Sequence, residues 1–596
     1  AADGKGEIIN LTKSGFSDGS PQWMMDGEMM IWYSDRDGMK NRGSWGSESD
    51  VYGLFFTQEA YDLFNLSKSD YELYQEKKKE EDKDKEDDKD EEALPEVKIE
   101  MEGLDDRKER LTIHSSRLND AVVSNDGEYL YYICRFEKGV DLWKTNLRTK
   151  ETKILTKLGS SAGNLTLDED GKNAFVLSGG KIKKVDTESG KVKTIGMRGE
   201  MYLDKQAENT YIFNHAWKQV QKKFYVTDLH GVDWDFYKKE YSRFLPHINN
   251  NYDFSEMLSE MLGELNASHT GCRYYYQSEN GDATASLGLF FDAAYEGNGL
   301  KVAEVLEKGP ADKAESDIAK GTILEKIDGQ PVEANSNYYP MLNRKAGKKV
   351  LLSLYNPATG TRWDEVIEPI STGAESNLLY RRWVENRRKE VETLSNGRIG
   401  YVHVRGMNDP SFRTTYEEVL GRNYDKEAII VDTRFNGGGW LHDDLATFLN
   451  GKTYIQMMPR GQKLGQEPQF KWTKESIVLM GEGNYSDAHM FPYAYKANGI
   501  GKLLGMPVPG TGTAVWWERQ IDPSLVFGIP QVGMVDVNGD YLENKQLEPD
   551  IKVRNEPEAL LAGKDQQIAA AVKVLLGEEV EMPGAQDVDL ENKSKK

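Results

Sequence analysis

Three times in the first 200 residues an Asp-Gly pair separates two apolar runs, and this repetition limits the N-terminal third of the chain to successive antiparallel hairpins. Asp18-Gly19-Ser20-Pro21-Gln22-Trp23 leads to Asp26-Gly27 and then to Met29 through Tyr33. A second unit runs from Leu118 through Asn125-Asp126-Gly127 to Tyr129-Leu130-Tyr131-Tyr132 and Asp141-Leu142-Trp143. A third has Asp168-Glu169-Asp170-Gly171, then Ala174 to Leu177 and Lys181 to Val185. A strand, a tight Asp-Gly turn and a second strand is the hairpin signature. Repeats of about 40 residues with several strands apiece read as β-propeller blades. About three blades fit before Met201, whereas a closed ring needs at least about four. Residues 1–203 are therefore expected to form incomplete propeller blades of a chain that begins partway through a longer parent. A partial sheet packed on the next domain is the alternative.

At 596 residues the chain is too long for one core. The run Glu76 to Glu92 holds 11 acidic and 6 basic residues, so it contributes -5 of the formal net charge of -23. Such a run buries no apolar surface, and the expectation is a disordered insertion between strands of a blade. The negative balance argues against a nucleic-acid partner, which needs a basic surface. No stretch of about 18 uninterrupted apolar residues occurs, so no membrane insertion is expected. Cys134 and Cys272 cannot make a disulfide framework. An acidic, Tyr-rich chain that lacks an initiator Met fits a periplasmic setting slightly better than a cytoplasmic one.

After the hairpins the hydrophobic period changes to 3.6. Trp217, Val220, Phe224 and Tyr225 share a helical face, and Asp235–Leu245 and Phe254–Leu265 read as further helices, giving a helical domain over 204–283. Over 284–372, Ser286-Leu287-Gly288-Leu289-Phe290, the strand Leu300–Val305, the stretch Ile323 to Val332 with its Asp328-Gly329 turn, and Val350–Leu354 follow in the order of a PDZ domain. Leu287 and Gly288 then fall in a loop resembling the PDZ carboxylate-binding loop, and such domains capture extended peptides at a sheet edge. A small β-domain used as a spacer is the alternative. Residues 373–580 read as an α/β domain with a mostly parallel sheet, and 581–596 as a disordered tail. The fold class is a multidomain α+β chain: partial β-propeller blades, a helical domain, a PDZ domain and an α/β domain.

Two strand ends carry the chemistry. Ile429-Ile430-Val431-Asp432 runs into Thr433-Arg434-Phe435-Asn436-Gly437-Gly438-Gly439, and Ile477-Val478-Leu479-Met480 runs into Gly481 through Asp487. Ligands of open α/β sheets sit beyond such ends. Glycines let the backbone aim free N–H groups at an anion. A phosphate loop is excluded, because Trp440 stands where its lysine belongs. An oxyanion hole remains, with N–H groups from Gly439 and Asp487. Ser486, at a strand-to-helix junction, is either a helix cap or a presented nucleophile. Of eight histidines, His114, His215, His230, His247 and His403 read as structural, His442 can line the site, and His489 points a turn away from Ser486. His269, in the loop Ser268-His269-Thr270-Gly271, is open between a solvated residue and a functional one. Cys272 offers a weaker alternative nucleophile.

A helical segment ending in Ser-His-Thr, a PDZ domain, Asp-x-Arg-x-Asn-Gly-Gly-Gly and a serine-aspartate elbow, in that order over 205–575, resemble the tricorn protease family, within the clan of C-terminal processing serine peptidases. The hairpin repeats resemble that family's propellers. The resemblance implies a serine peptidase acting on peptides or unfolded proteins, with Ser486 as nucleophile, His269 as general base, and Ser268 and Glu543 completing a tetrad. Glu548 is the competing carboxylate, disfavoured because the residue before proline is held extended. Gly438 and Met457 are expected to contact substrate. Leu445 to Gln466 contains no acidic residue, although relatives place an aspartate there for a basic P1 side chain, so an apolar or less basic P1 is expected. No metal or organic cofactor is implied. The family forms rings, so a homo-oligomer is compatible with the resemblance, although no residue pattern specifies one. The competing reading is a catalytically inactive peptide-binding scaffold built on the propeller and PDZ surfaces.

Overall fold

A computed structural model describes residues 5, 7–41, 47–83, 97–136, 139–159, 161–276, 278 and 280–579. The chain divides into two compact units, residues 1–202 and 203–596. Among its described residues the first holds three four-stranded antiparallel sheets, each laid down in sequence order. The Asp26-Gly27, Asp126-Gly127 and Asp170-Gly171 turns each join neighbouring strands of one sheet. Ile31 and Val51 of the first sheet pack on Ala121 and Tyr132 of the second. Ile133 and Leu142 of the second pack on Leu165 and Ala174 of the third.

One expectation for this unit is corrected. A helix spans Lys68–Lys83, so the acidic run is helical over Glu76–Lys83; its remainder lies outside the described residues, as does the expected tail from 581. Glu and Lys are strong helix formers, and opposite charges four residues apart support a solvated helix. Lys68 and Glu72 make such a pair at 3.9 Å.

The second unit begins with helices α1 (Lys205–Lys223), α2 (Trp234–Ser242) and α3 (Asn251–Gly263), followed by the short strand β1 (Gly271–Tyr274). Asp204 and Asn250 cap α1 and α3 by accepting first-turn N–H groups. Residues 285–371 form a six-stranded antiparallel sheet and a two-stranded one that pairs the segment's ends, with a core of Leu289, Val302, Leu324, Leu352 and Leu354. Then come α4 (Thr372–Leu394), β2 (Ile399–His403), α5 (Asp409–Leu420), β3 (Ala428–Asp432), α6 (His442–Leu449), β4 (Glu475–Met480), α7 (Asp487–Ala497), β5 (Lys502–Gly505), the hairpin β6 (Thr513–Arg519) and β7 (Leu525–Gly533), β8 (Ile551–Lys552) and α8 (Gln566–Leu575).

Strands β2, β3, β4, β5 and β8 pair in parallel in the order β2-β3-β4-β5-β8. Alternation along a strand serves both faces. Ile429, Val431 and Val478 meet Phe412, Leu445 and Phe491 from α5, α6 and α7. Ile430, Ile477 and Leu479 meet Val391 of α4 and Ile568 and Val572 of α8.

The helical segment does not own a separate core. Ile212, Phe213 and Val220 of α1 and Phe254, Leu258 and Leu262 of α3 bury against Leu525, Phe527 and Ile529 of β7. β1 also pairs antiparallel with β7. The loop between α3 and β1 is thereby fixed to the C-terminal part of the sequence.

The Asp-x-Arg pair at the end of β3 is an internal tie. Arg434 is buried, donates to both Asp432 carboxylate oxygens, and reaches Asp565 at 2.9 Å and Gln567 at 2.8 Å at the start of α8. A buried ion pair stripped of one partner leaves an uncompensated charge. Arg434→Ala should destabilise this unit by about 3–5 kcal/mol, read as a lower urea midpoint of its tryptophan fluorescence transition.

Candidate active site

Ser486 occupies the turn from β4 into α7 with φ 57° and ψ -123°. A non-glycine residue in that region stores about 1–3 kcal/mol of strain and persists only where its surroundings enforce it. Here they do. Ser486 N donates to Thr511 Oγ1 at 2.8 Å, and Tyr485 N donates to the Asn436 carbonyl at 3.0 Å. Buried Asn484 donates to Thr433 Oγ1 at 2.9 Å and to the Ala488 carbonyl at 3.1 Å. The elbow is thus held from the ends of two neighbouring strands.

His269 approaches from the loop between α3 and β1, and its Nε2 lies 2.8 Å from Ser486 Oγ. Its other nitrogen, Nδ1, is 2.9 Å from Ser268 Oγ and 3.0 Å from Thr513 Oγ1. Ser268 Oγ donates to Glu543 Oε2 at 2.9 Å, and Ser268 N donates to Glu543 Oε1. Because the Ser268 hydroxyl proton goes to the carboxylate, its oxygen accepts Nδ1–H. That selects the tautomer with a bare Nε2 able to accept the Ser486 hydroxyl proton, the orienting task of a third group in a triad. Tyr485 adds a direct brace: its hydroxyl accepts His269 N–H at 2.7 Å, and the two rings lie 4.9 Å apart.

The glycine turn fits against the elbow. Gly438 has φ 96°, and a Cβ there would stand 2.6 Å from Ser486 Cβ. At Gly439, φ 146°, a Cβ would fall 1.9 Å from the Met407 carbonyl oxygen. Gly438 N–H is committed to Asn436 Oδ1 at 2.9 Å. No acceptor within the described residues takes the Gly439 or Asp487 N–H. The buried Asp487 carboxylate accepts Leu441 N–H and His442 N–H and pairs with His442 Nδ1, fastening the exit of the glycine turn to the start of α7.

Burial, reinforced by the Arg273 cation, lowers the His269 pKa to about 4, so the imidazole is neutral near pH 7. Burial raises the Glu543 pKa, opposed by the Ser268 N–H and O–H and the Gly512 N–H. Burial alone would lower His442, but its contact with Asp487 and the nearby Asp443 and Asp444 hold it above the usual value.

The remaining candidates are placed as follows. Leu287 is buried in the 285–371 core; Gly288 N–H donates to Ser286 Oγ at 2.9 Å, and the Gly288 carbonyl accepts from Leu306 at 2.9 Å. Met457 sits in the two-stranded hairpin Ile455–Met457/Gly465–Glu467, its methyl lying over Gly465, and no contact with Ser486 or His269 is seen among the described residues. The Glu548 side chain is exposed and lies 4.0 Å from Lys552, whereas the carboxylate that Ser268 meets is that of Glu543. Burial pushes the Cys272 thiol up to about 12, which leaves little thiolate. His489 Nδ1 accepts Thr511 N–H at 3.3 Å inside the core. Tyr485, Thr511 and Thr513 were not singled out from the sequence, since isolated loop hydroxyls carry no pattern. Among the described residues no cluster of potential ligands is arranged to hold a metal ion.

Parallel strands ending in a glycine turn and a serine elbow frame this site, and residues 398–553 match the model of peptidase family S41. Residues 205–263 match the tricorn protease C1 domain. The chain is 26% identical over 469 residues to the tricorn protease of Thermoplasma acidophilum, covering 76% of this chain and 42% of that protein. It is 25% identical over 517 residues to tricorn protease homolog 1 of Streptomyces coelicolor, covering 82% and 48%. The crystal structure of the tricorn protease superposes with a TM-score of 0.76 at 21% identity, over 95% of this chain and 55% of that one. Over these stretches the chain is similar to the tricorn proteases. It spans about half the length of the curated relatives it matches.

The lowered pKa gives a direct expectation. The His269 ring resonances should titrate with a midpoint near 4 rather than near 6.5; a midpoint at the ordinary value would mean a solvated ring and an opened site.

Proposed function

We propose that the chain is a serine peptidase that cleaves peptides or unfolded proteins through an acyl-enzyme on Ser486. The reading is carried by one observation, the 2.8 Å approach of His269 Nε2 to Ser486 Oγ. Ser486 Oγ attacks the scissile carbonyl carbon as its proton passes to Nε2. The charge that develops on the carbonyl oxygen faces the Gly439 and Asp487 N–H groups, donors that need no reorganisation during the step. Ser268 and Glu543 hold the imidazolium that forms. His269 then protonates the leaving amine, and the same imidazole activates the water that hydrolyses the ester. In this reading residues 1–203 are propeller blades and 284–372 a PDZ domain, a fold that captures extended chains at a sheet edge.

A fluorophosphonate probe should label the chain at Ser486. Ser486→Ala should abolish labelling, and His269→Ala should slow it by about 10²–10⁴-fold. Glu543→Gln, which keeps the shape but not the charge, should have a smaller effect. A chain that takes no label would be a peptide-binding scaffold. The base works only when neutral, and its pKa is lowered to about 4. The acid limb of kcat/KM should therefore fall near pH 4, with activity retained at pH 5 to 6, where an ordinary histidine is mostly protonated.

For P1, the hairpin that carries Met457 leaves Tyr454, Ile455, Met458 and Leu464 exposed. Peptides with Leu or Phe at P1 should be cleaved faster than those with Lys or Arg, as a chromogenic series would show. A strong preference for the basic residues would contradict the assignment.

A further inference from the structure

A cavity of about 560 Å³ opens where α4 passes the 285–371 sheet, the segment after β2 and the start of α5. Six cationic side chains line it, Lys308, Arg381, Arg382, Arg388, Arg405 and Arg422, against three carboxylates. This is a local excess of positive charge in a chain whose formal net charge is -23. Half of the cations are already committed. Arg382 pairs with Glu304, Arg388 with Glu385 and Glu418, and Arg422 approaches Glu418 at 3.9 Å. The other three are not. Arg405 has the neutral amide oxygen of Asn377 and the face of Tyr380 at 4.1 Å, and neither Lys308 Nζ nor Arg381 has a carboxylate partner among the described residues.

The floor of the cavity is fixed. His403 Nε2 donates to the Arg434 carbonyl at 3.1 Å, which leaves Nδ1 to accept the Tyr380 hydroxyl at 2.8 Å. The segment after β2 then continues into the site: Met407 N donates to the Gly438 carbonyl at 3.0 Å, and Trp440 N to the Met407 carbonyl at 2.8 Å. The greatest reach of two residues from Arg405 to Met407, one bridge to the glycine turn and the contact of Gly438 with Ser486 bound the backbone separation of Arg405 and Ser486 at no more than about 17 Å. That is about five residues of extended peptide.

We propose that this cavity is a carboxylate-recognition subsite, in which Lys308, Arg381 and Arg405 take an acidic side chain of a peptide extending from Ser486. The assignment rests on the peptidase reading. Arg supplies paired donors matched to a carboxylate, and a charged hydrogen bond at a partly enclosed site corresponds to about a tenfold gain in affinity.

The test uses the full chain carrying Ser486→Ala, to prevent turnover, and fluorescein-labelled dodecapeptides followed by anisotropy. A single Glu is moved along a neutral, C-amidated sequence, each peptide is matched by its Gln counterpart, and one neutral peptide keeps a free C-terminus. In one register Glu should bind about tenfold tighter than Gln. Lys308→Gln with Arg381→Gln should bring that ratio to about one, and Arg381→Glu should favour Gln. A flat ratio in every register, or a ratio that survives the double substitution, overturns the proposal. So does a gain given only by the free C-terminus, or equal competition by inorganic phosphate, which would mark a terminal-carboxylate or small-anion site. Fluorophosphonate labelling of Ser486 is run beside it on chains that keep the serine, with and without the double substitution. Labelling in both with a flat ratio removes the subsite alone, whereas no labelling in either removes the peptidase reading itself.

Discussion

The site depends on a short antiparallel pairing between two distant parts of the chain. Gly271 to Tyr274 lie opposite Gly528 to Leu525, four residue pairs joining β1 to β7. His269 stands two residues before that strand. Thr513, which touches its Nδ1, begins the other strand of the same hairpin, and Glu543 follows the hairpin's end. The pairing therefore holds the imidazole, its hydroxyl neighbours and its carboxylate against one frame. Burial of Ile212, Phe254 and Leu258 on Phe527 and Ile529 gives that frame its apolar backing. The parallel sheet supplies a second frame for Ser486 and the glycine turn, and the Tyr485 hydroxyl spans the two through the His269 N–H.

Strand ends that cannot move are the other requirement. Asp432 and Arg434 sit at the tip of β3, just before the glycine turn, and are anchored to α8 through Asp565 and Gln567. Asn436 and Asn484, both buried, each accept an N–H of their own turn and donate to a neighbouring segment, Asn436 to the Val404 carbonyl and Asn484 to Thr433 Oγ1. Such polar networks are costly when broken and stiff when complete. They hold the close approach of Gly438 to Ser486, where a single added methyl group would not fit.

Much of this was legible from residues alone, and the illegible parts have physical causes. The Asp-Gly turns located the hairpins because that dipeptide tolerates the backbone a tight turn needs. Ile399, Ala428 and Ser476 each opened an apolar run that did prove to be a buried strand. Ser486 and His269 could be nominated because each lies at a local discontinuity, an elbow and a loop between helix and strand. Their approach could not be read, since it depends on the β1–β7 pairing over some 250 positions of sequence. Tyr485, Thr511 and Thr513 were illegible for the same reason. The helix through Glu76–Lys83 was missed because a solvated charged helix and a solvated charged loop differ in propensity and not in burial. The unity of the helical segment with β7 was missed because periodicity reports that a face is apolar and not what covers it.

The sharing of one core between α1, α3 and β7 has a consequence during synthesis. A ribosome that has translated as far as residue 505 has made His269 and Ser486, but not the hairpin that brings them together. Closing so long a loop precedes any reward from the contacts it makes, so assembly waits for distant sequence. The nascent chain stays without a paired imidazole and hydroxyl until the β6–β7 hairpin has emerged, so the pair forms only after both frames are present.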